Sequence, residues 1–250
     1  QYFGSSMGVV GATYMYPINL NTYLKAGVGV SYQDVDTYHE QLYRRVVQDS
    51  LGNDFYVYDS LPPILDYRFQ ETKAHSYLSL QRKLAPGHTL KAGFNFDWYF
   101  MNYLDSVRAV TGQLNGEPKL LSPWRVRWNA RDNAALFQPY VQYKGQLSDR
   151  LALTAGLTSL YWSLNENSFS PIEPRLGLTY QLSERQRLNF GTGLHSQIQT
   201  PYLYFFSQET IEGDPQEHNL DMGLSKSVHT VLGYDLNLAR NLRLKVEAYY

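Results

Sequence analysis

The residues able to do chemistry are few and poorly arranged for it. Gly4-Ser5-Ser6-Met7-Gly8 has the G-x-S-x-G spacing of a nucleophile elbow. That chemistry needs a strand, a tight turn and a helix to lift the serine clear of the backbone. Val9-Val10-Gly11-Ala12-Thr13-Tyr14 follows instead and reads as strand, so no catalytic serine is expected. Six histidines stand at 39, 75, 88, 195, 218 and 229, with neither H-x3-H nor H-E-x-x-H spacing. His195 and His229 read as polar lining. His195 and Ser196 are adjacent, so on a strand they point to opposite faces and cannot form a base–nucleophile pair without a bulge. Glu209, Glu212, Asp214, Glu217 and Asp221, with His218 among them, are the densest acidic run. Carboxylates could bind a divalent cation there, but the run lacks regular ligand spacing and reads as a solvated loop over 209–221. Tyr202, Tyr204, Phe205 and Phe206 cluster where a strand meets a long connection. They could stack on a ligand at the mouth of a pore, or form an aromatic girdle at a membrane surface, the reading that aromatic placement favours. Gly27, Gly29, Gly191 and Gly193 sit inside strands. They are not phosphate loops but room for something packed against that face. No catalytic residue, cofactor site or metal site is expected, and no enzymatic activity.

The elements that must carry these residues have a period of two. Leu151, Leu153, Ala155 and Leu157 oppose Ala152, Thr154, Gly156 and Thr158. Leu176, Leu178, Tyr180 and Leu182 repeat the pattern, as do the alternating residues from Val228 and from Leu242. No apolar series at helical spacing persists for three turns. Turn residues divide the chain into about ten strands, near 7–16, 22–38, 66–84, 89–105, 133–147, 151–165, 171–182, 187–199, 227–238 and 241–250. Short turns alternate with long polar connections around 39–65, 106–132 and 200–226, and a shorter one at 166–170. Lys25, Lys91, Asn95, Asp97, Gln181, Asn189, His195, His229, Asp235, Arg243, Lys245 and Glu247 all fall opposite the apolar series.

Composition narrows the class. The chain has 250 residues, 22 Lys and Arg against 23 Asp and Glu, and no cysteine. A net charge of -1 leaves no basic face for nucleic acid. Without cysteine there is no disulfide framework and no thiolate chemistry. Mean hydropathy is -0.41, and no run is apolar for the ~20 residues of a spanning helix. Alternation alone fits a soluble sandwich with the apolar face inside, or a membrane barrel with that face on lipid. Long strands, alternating loop lengths, a count of 22 tyrosines and the placing of Tyr143, Tyr180 and Tyr234 just before short turns favour the barrel.

Several segments then carry a resemblance. Glu173-Pro174-Arg175-Leu176-Gly177-Leu178-Thr179-Tyr180, then Gly191, Gly193, His195-Ser196-Gln197 and Thr200-Pro201, resemble a hairpin of the TonB-dependent outer-membrane receptors. Tyr140-Val141-Gln142 through Leu147-Ser148-Asp149-Arg150-Leu151 to Gly156-Leu157 is similar to the hairpin before it. Lys226-Ser227, His229, Gly233-Tyr234 and Asn241-Leu242 through Glu247 to Tyr249-Tyr250 resemble the one after. The likeness covers about 134–250 and is only compositional over 1–133.

That resemblance implies an all-β, antiparallel transmembrane β-barrel, with residues 1–250 forming about ten strands of one larger barrel domain. Barrels of this family have about 22 strands, which at this spacing need roughly 550 residues. The plug domain and TonB box are expected to lie outside this chain. It further implies the outer membrane of a Gram-negative cell, and import of a scarce siderophore, cobalamin, oligosaccharide or peptide. Partners would be outer-membrane lipid, the TonB complex through the plug, the transported ligand and a surface lipoprotein. A complete ten-stranded barrel acting as porin, adhesin or hydrolase is the alternative.

Overall fold

A computed structural model describes residues 1–42, 44–58, 62–111, 120–209, 215–217 and 219–250. Ten long strands form one sheet: β1 (Tyr2–Asn19), β2 (Thr22–Glu40), β3 (Pro63–Ala85), β4 (His88–Val107), β5 (Arg125–Ser148), β6 (Leu151–Trp162), β7 (Phe169–Ser183), β8 (Gln186–Gln197), β9 (Ser225–Ala239) and β10 (Leu242–Tyr249). Every neighbouring pair is antiparallel and follows chain order, and β1 and β10 are not paired with each other. The sheet is an open up-and-down wall with two edges.

All ten expected strands are present, and the departures have local causes. Strand β5 starts at Arg125 rather than near 133. Its first eight residues, Arg125 to Asp132, alternate Val126, Trp128 and Ala130 with Arg125, Arg127, Asn129 and Arg131. Ala130 and Trp128 pack in the inner-face cluster, so the apolar series there is out of phase with the outward apolar series of the rest of the strand. The long connections hold short hairpins, Arg44–Gln48 with Asp54–Tyr58, Val110–Thr111 with Leu120–Leu121, and Ser207–Glu209 with Pro215–Glu217.

Each hairpin at one end closes in two residues, and the sequence builds these turns by simple devices. Asn19 Oδ1 accepts from the Asn21 N–H at 2.9 Å. Gly87 takes a φ of +76°, open to glycine at no steric cost. Ser148 and Ser183 each accept, through Oγ, the N–H of the arginine two residues on. The repeated Ser-x-Arg of the sequence is therefore a repeated turn.

Register separates two faces. Leu153 pairs with Leu178, Leu178 with Phe190, Phe190 with Leu232, and Leu232 with Ala248, giving one apolar row across five strands. Another row runs Tyr14, Ala26, Leu78, Phe94. Among the described residues nothing packs on this face: Val10 is 72% exposed, Val28 64% and Leu232 56%. A sandwich would bury these side chains, so the soluble reading of the alternation fails. Tyr16, Tyr143, Tyr180 and Tyr234 lie on the same face, each within a few residues of a short turn. Towards the long-connection end the face turns polar, where Arg68 forms a two-bond ion pair with Asp34, 3.0 and 2.5 Å.

The opposite face carries the packed core. Tyr99, Met101 and Tyr103 of β4, Ala130, Ala134 and Leu136 of β5, and Leu160 and Trp162 of β6 are buried there together with Tyr204 and Phe205. We call this the inner face. No helix among the described residues is long and apolar enough to cross a membrane, which has no bearing on a barrel.

Candidate functional site

The connection between β8 and β9 folds back over the inner face. Pro201 opens a 3-10 turn, Pro201–Phe205, where its fixed φ suits the first position and its missing N–H costs nothing. The Gln199 N–H donates to the Tyr204 hydroxyl at 3.1 Å. Tyr204 is fully buried beside Trp162, with ring centres 6.3 Å apart, and Phe205 lies 5.9 Å from Tyr103. Tyr202 packs on Phe69 at 5.3 Å and Phe206 on Trp128 at 4.9 Å. Trp128 Nε1 donates to the Tyr202 carbonyl at 2.8 Å, fixing the turn to β5.

A second set of bonds holds the other end of the same connection. Asn165 Nδ2 donates to the carbonyls of Leu220 and Met222, at 2.7 and 3.1 Å. Asn167 Nδ2 donates to the Asp221 carbonyl, and Ser168 Oγ to that of Met222. Asn219 Nδ2 closes the set on the Leu203 carbonyl. The β6–β7 turn thus grips the β8–β9 connection through backbone carbonyls that would otherwise be unpaired.

The four aromatic residues singled out in the sequence are brought together, but on the inner face rather than on the lipid-facing one. The girdle reading is corrected accordingly: these rings pack on strand side chains of the polar series. Tyr204 and Phe205 are core, while Tyr202 and Phe206 stay half-buried at the rim of the cluster. Of the acidic run, Glu212, Asp214 and His218 lie outside the described residues. In the small hairpin Glu209 pairs with Pro215 and Glu217 with Ser207, so the register does not set the two glutamates opposite each other.

On either side of the cluster the inner face is polar, and its charges are mostly paired. Asp97 bonds His75 and lies 3.7 Å from Lys73. Asp105 takes two bonds from Arg127, at 2.8 and 2.7 Å. Asp235 holds Arg243 at 2.5 Å and Asn189 at 2.9 Å. Lys25 and Lys91 instead stand over the rings of Tyr77 and Tyr140. At Gly27 and Gly193 the room expected for a packed partner is taken from within: an added Cβ would meet the Tyr77 ring or His195 Nε2. Glu173 is 2% exposed, Oε2 being 3.7 Å from Arg175 while Oε1 has no partner. It borders a cavity of about 520 Å³ that Asn95, Gln138, Tyr140 and Thr158 also line.

Gly4 to Gly8 lie within strand β1, where Ser6 sits opposite Asp34. One serine–histidine contact escaped the sequence: Ser227 Oγ is 2.9 Å from His229 Nε2. Residues i and i+2 share a strand face, which is the signal that could have found it. Among the described residues no carboxylate hydrogen-bonds His229, so the third member of a triad is missing. No group of three or more acidic or histidine side chains among the described residues could hold a metal ion.

A ten-stranded antiparallel sheet that is apolar and bare on one face and polar and loop-covered on the other, among the described residues, has the two-faced build of part of a β-barrel wall. Solved structures bear this out at the level of fold. The chain is similar to the copper transporter OprC, with a TM-score of 0.62 and 13% identity over 97% of this chain and 38% of that one. It is similar to the siderophore receptor PirA from Acinetobacter baumannii, with a TM-score of 0.61 and 12% identity over 98% and 34%. It is also similar to the RagAB peptide importer, with a TM-score of 0.58 and 14% identity over 99% and 30%. The chain spans roughly a third of the length of these structures. The likeness in fold therefore covers the whole chain, including residues 1–133. No family model matches the sequence, nor does any curated protein at a comparable level.

Proposed function

We propose that this chain is a ten-stranded part of a barrel of about 22 strands in a TonB-dependent outer-membrane receptor, importing a scarce ligand by energy-coupled transport. The observation that carries this reading is the pairing of a bare apolar face with a polar face that a long connection covers. A barrel closed by ten strands would join β1 to β10, and the two are unpaired. Open edges are intolerable in lipid, so further strands continue the wall on both sides. Residues 1–250 belong to one barrel domain, and TonB acts through a plug that fills the lumen. The ligand is a siderophore, cobalamin, an oligosaccharide or a peptide. Tyr202 and Phe206 would touch it on arrival, held in place by the buried Tyr204 and Phe205. The protein does no catalysis.

Uptake tests this reading. Cells lacking the gene and cells lacking TonB should lose growth alike when one of these nutrients limits. Growth supported equally without TonB would overturn it. A surface lipoprotein partner is checked by co-purification from detergent-solubilised outer membrane.

A further inference from the structure

His195 and His229 are 34 positions apart in sequence and share one spot on the inner face. Register pairs Gly193 with His229 and His195 with Ser227, so the two histidines are diagonal neighbours on β8 and β9. Their ring centres are 5.2 Å apart, with planes at 67°. A nitrogen ligand sits about 2.0–2.1 Å from a metal ion, which places each imidazole centre about 3.2 Å from it. Two rings at adjacent positions around one ion then have centres about 4.5–5.2 Å apart. The observed separation falls in that range.

The surroundings support the same use. Ser227 Oγ on His229 Nε2 orients that ring and leaves Nδ1 free, the arrangement by which a neighbouring group positions a metal-binding imidazole. Glycine at 193 leaves the space the other ring occupies, because a Cβ there would lie 3.1 Å from His195 Nε2. Arg175 and, more weakly and with opposite sign, Glu173 flank His195; buried Glu173, whose Oε1 has no partner, is the negative charge that offsets the guanidinium. His229 is exposed and His195 half-buried, both near the ends of their strands that face the long connections.

We propose that His195 and His229 form a binding site for a divalent transition-metal ion of borderline softness, Cu²⁺, Ni²⁺ or Zn²⁺. The pair supplies two adjacent ligands. Water, or a chelator travelling with the ion, supplies the rest, consistent with the lack of a complete ligand set among the described residues. Hard ions such as Mg²⁺ and Ca²⁺ prefer oxygen and are not retained. The site stands on this geometry and does not depend on the import reading.

The test titrates the whole protein, purified in detergent, with CuCl2 and follows the copper by electron paramagnetic resonance. One Cu²⁺ per chain should show coupling to two imidazole nitrogens. His195→Gln and His229→Gln should each weaken binding about ten-fold or more, and the double variant should lose this ion. Gly193→Ala keeps both imidazoles yet crowds one, and should weaken binding too. His75→Ala, which removes a histidine already bound to Asp97, should leave this ion in place. Heat-modifiable migration on gels verifies that each variant is folded. A folded double variant with the wild-type copper count and spectrum, or a wild-type protein that binds no copper, overturns the proposal.

Discussion

Single side chains hold the long connections in place, and their effects are separable. Trp162 is fully buried against Tyr99 and Tyr204. Trp162→Ala should cost about 3–5 kcal/mol, because the neighbouring rings cannot collapse into so large a gap. Heat-modifiable migration on gels, followed against temperature, would show unfolding at a lower temperature. Asn165 acts differently, since it is a latch rather than a filler. Asn165→Ala removes its bonds to the Leu220 and Met222 carbonyls, each contributing about 0.5–1.5 kcal/mol, and leaves Met222 only the bond from Ser168 Oγ. Limited proteolysis of the β8–β9 connection should quicken about ten-fold while the barrel itself stays folded. The aromatic residues in that connection were visible in the sequence as a cluster. Their place on the inner face was not, because hydropathy does not tell which way a loop folds back.

At the scale of the strand, the two faces make opposite demands. Leu153→Arg and Leu178→Arg place a charge in the apolar row, at a cost of about 2–4 kcal/mol each near the bilayer centre. Thr154→Arg, one residue away on the inner face, should be tolerated. Assembly into outer membranes, read by heat-modifiable migration, should fall for the first two and hold for the third. Glycines give a second contrast. An added Cβ at Gly93 would run into the Leu78 carbonyl oxygen and the Ser79 backbone, so Gly93→Ala should impair pairing of β3 with β4. At Gly191 nothing lies within 4 Å, and Gly191→Ala should assemble normally. The same assembly measurement decides both. The ten wall strands were legible, since alternation and two-residue turns are local signals, whereas the short hairpins inside the long connections were not. Nor were the first eight residues of β5, because their apolar residues Val126, Trp128 and Ala130 are out of phase with the outward apolar series of the rest of the strand.

At the scale of the whole molecule, the edges carry the prediction. With β1 and β10 unpaired, cysteines placed on them within the whole protein should not crosslink to each other on oxidation, because other strands intervene. A disulfide between them would instead indicate a closed ten-stranded barrel. Taken alone, the sequence determined the all-β class, the ten strands, the turn ends and which residues share a face, since each follows from the two-residue repeat of an extended chain and from turn chemistry. Two inverted readings of those faces remained open on alternation. The tertiary structure decided between them by leaving the apolar face bare and laying the β8–β9 connection on the polar one. It also brought His195 beside His229, and Asn165 to the carbonyls of Leu220 and Met222. Those meetings depend on strand register and loop path, which are set by contacts between residues far apart in the chain and leave no periodic trace in it.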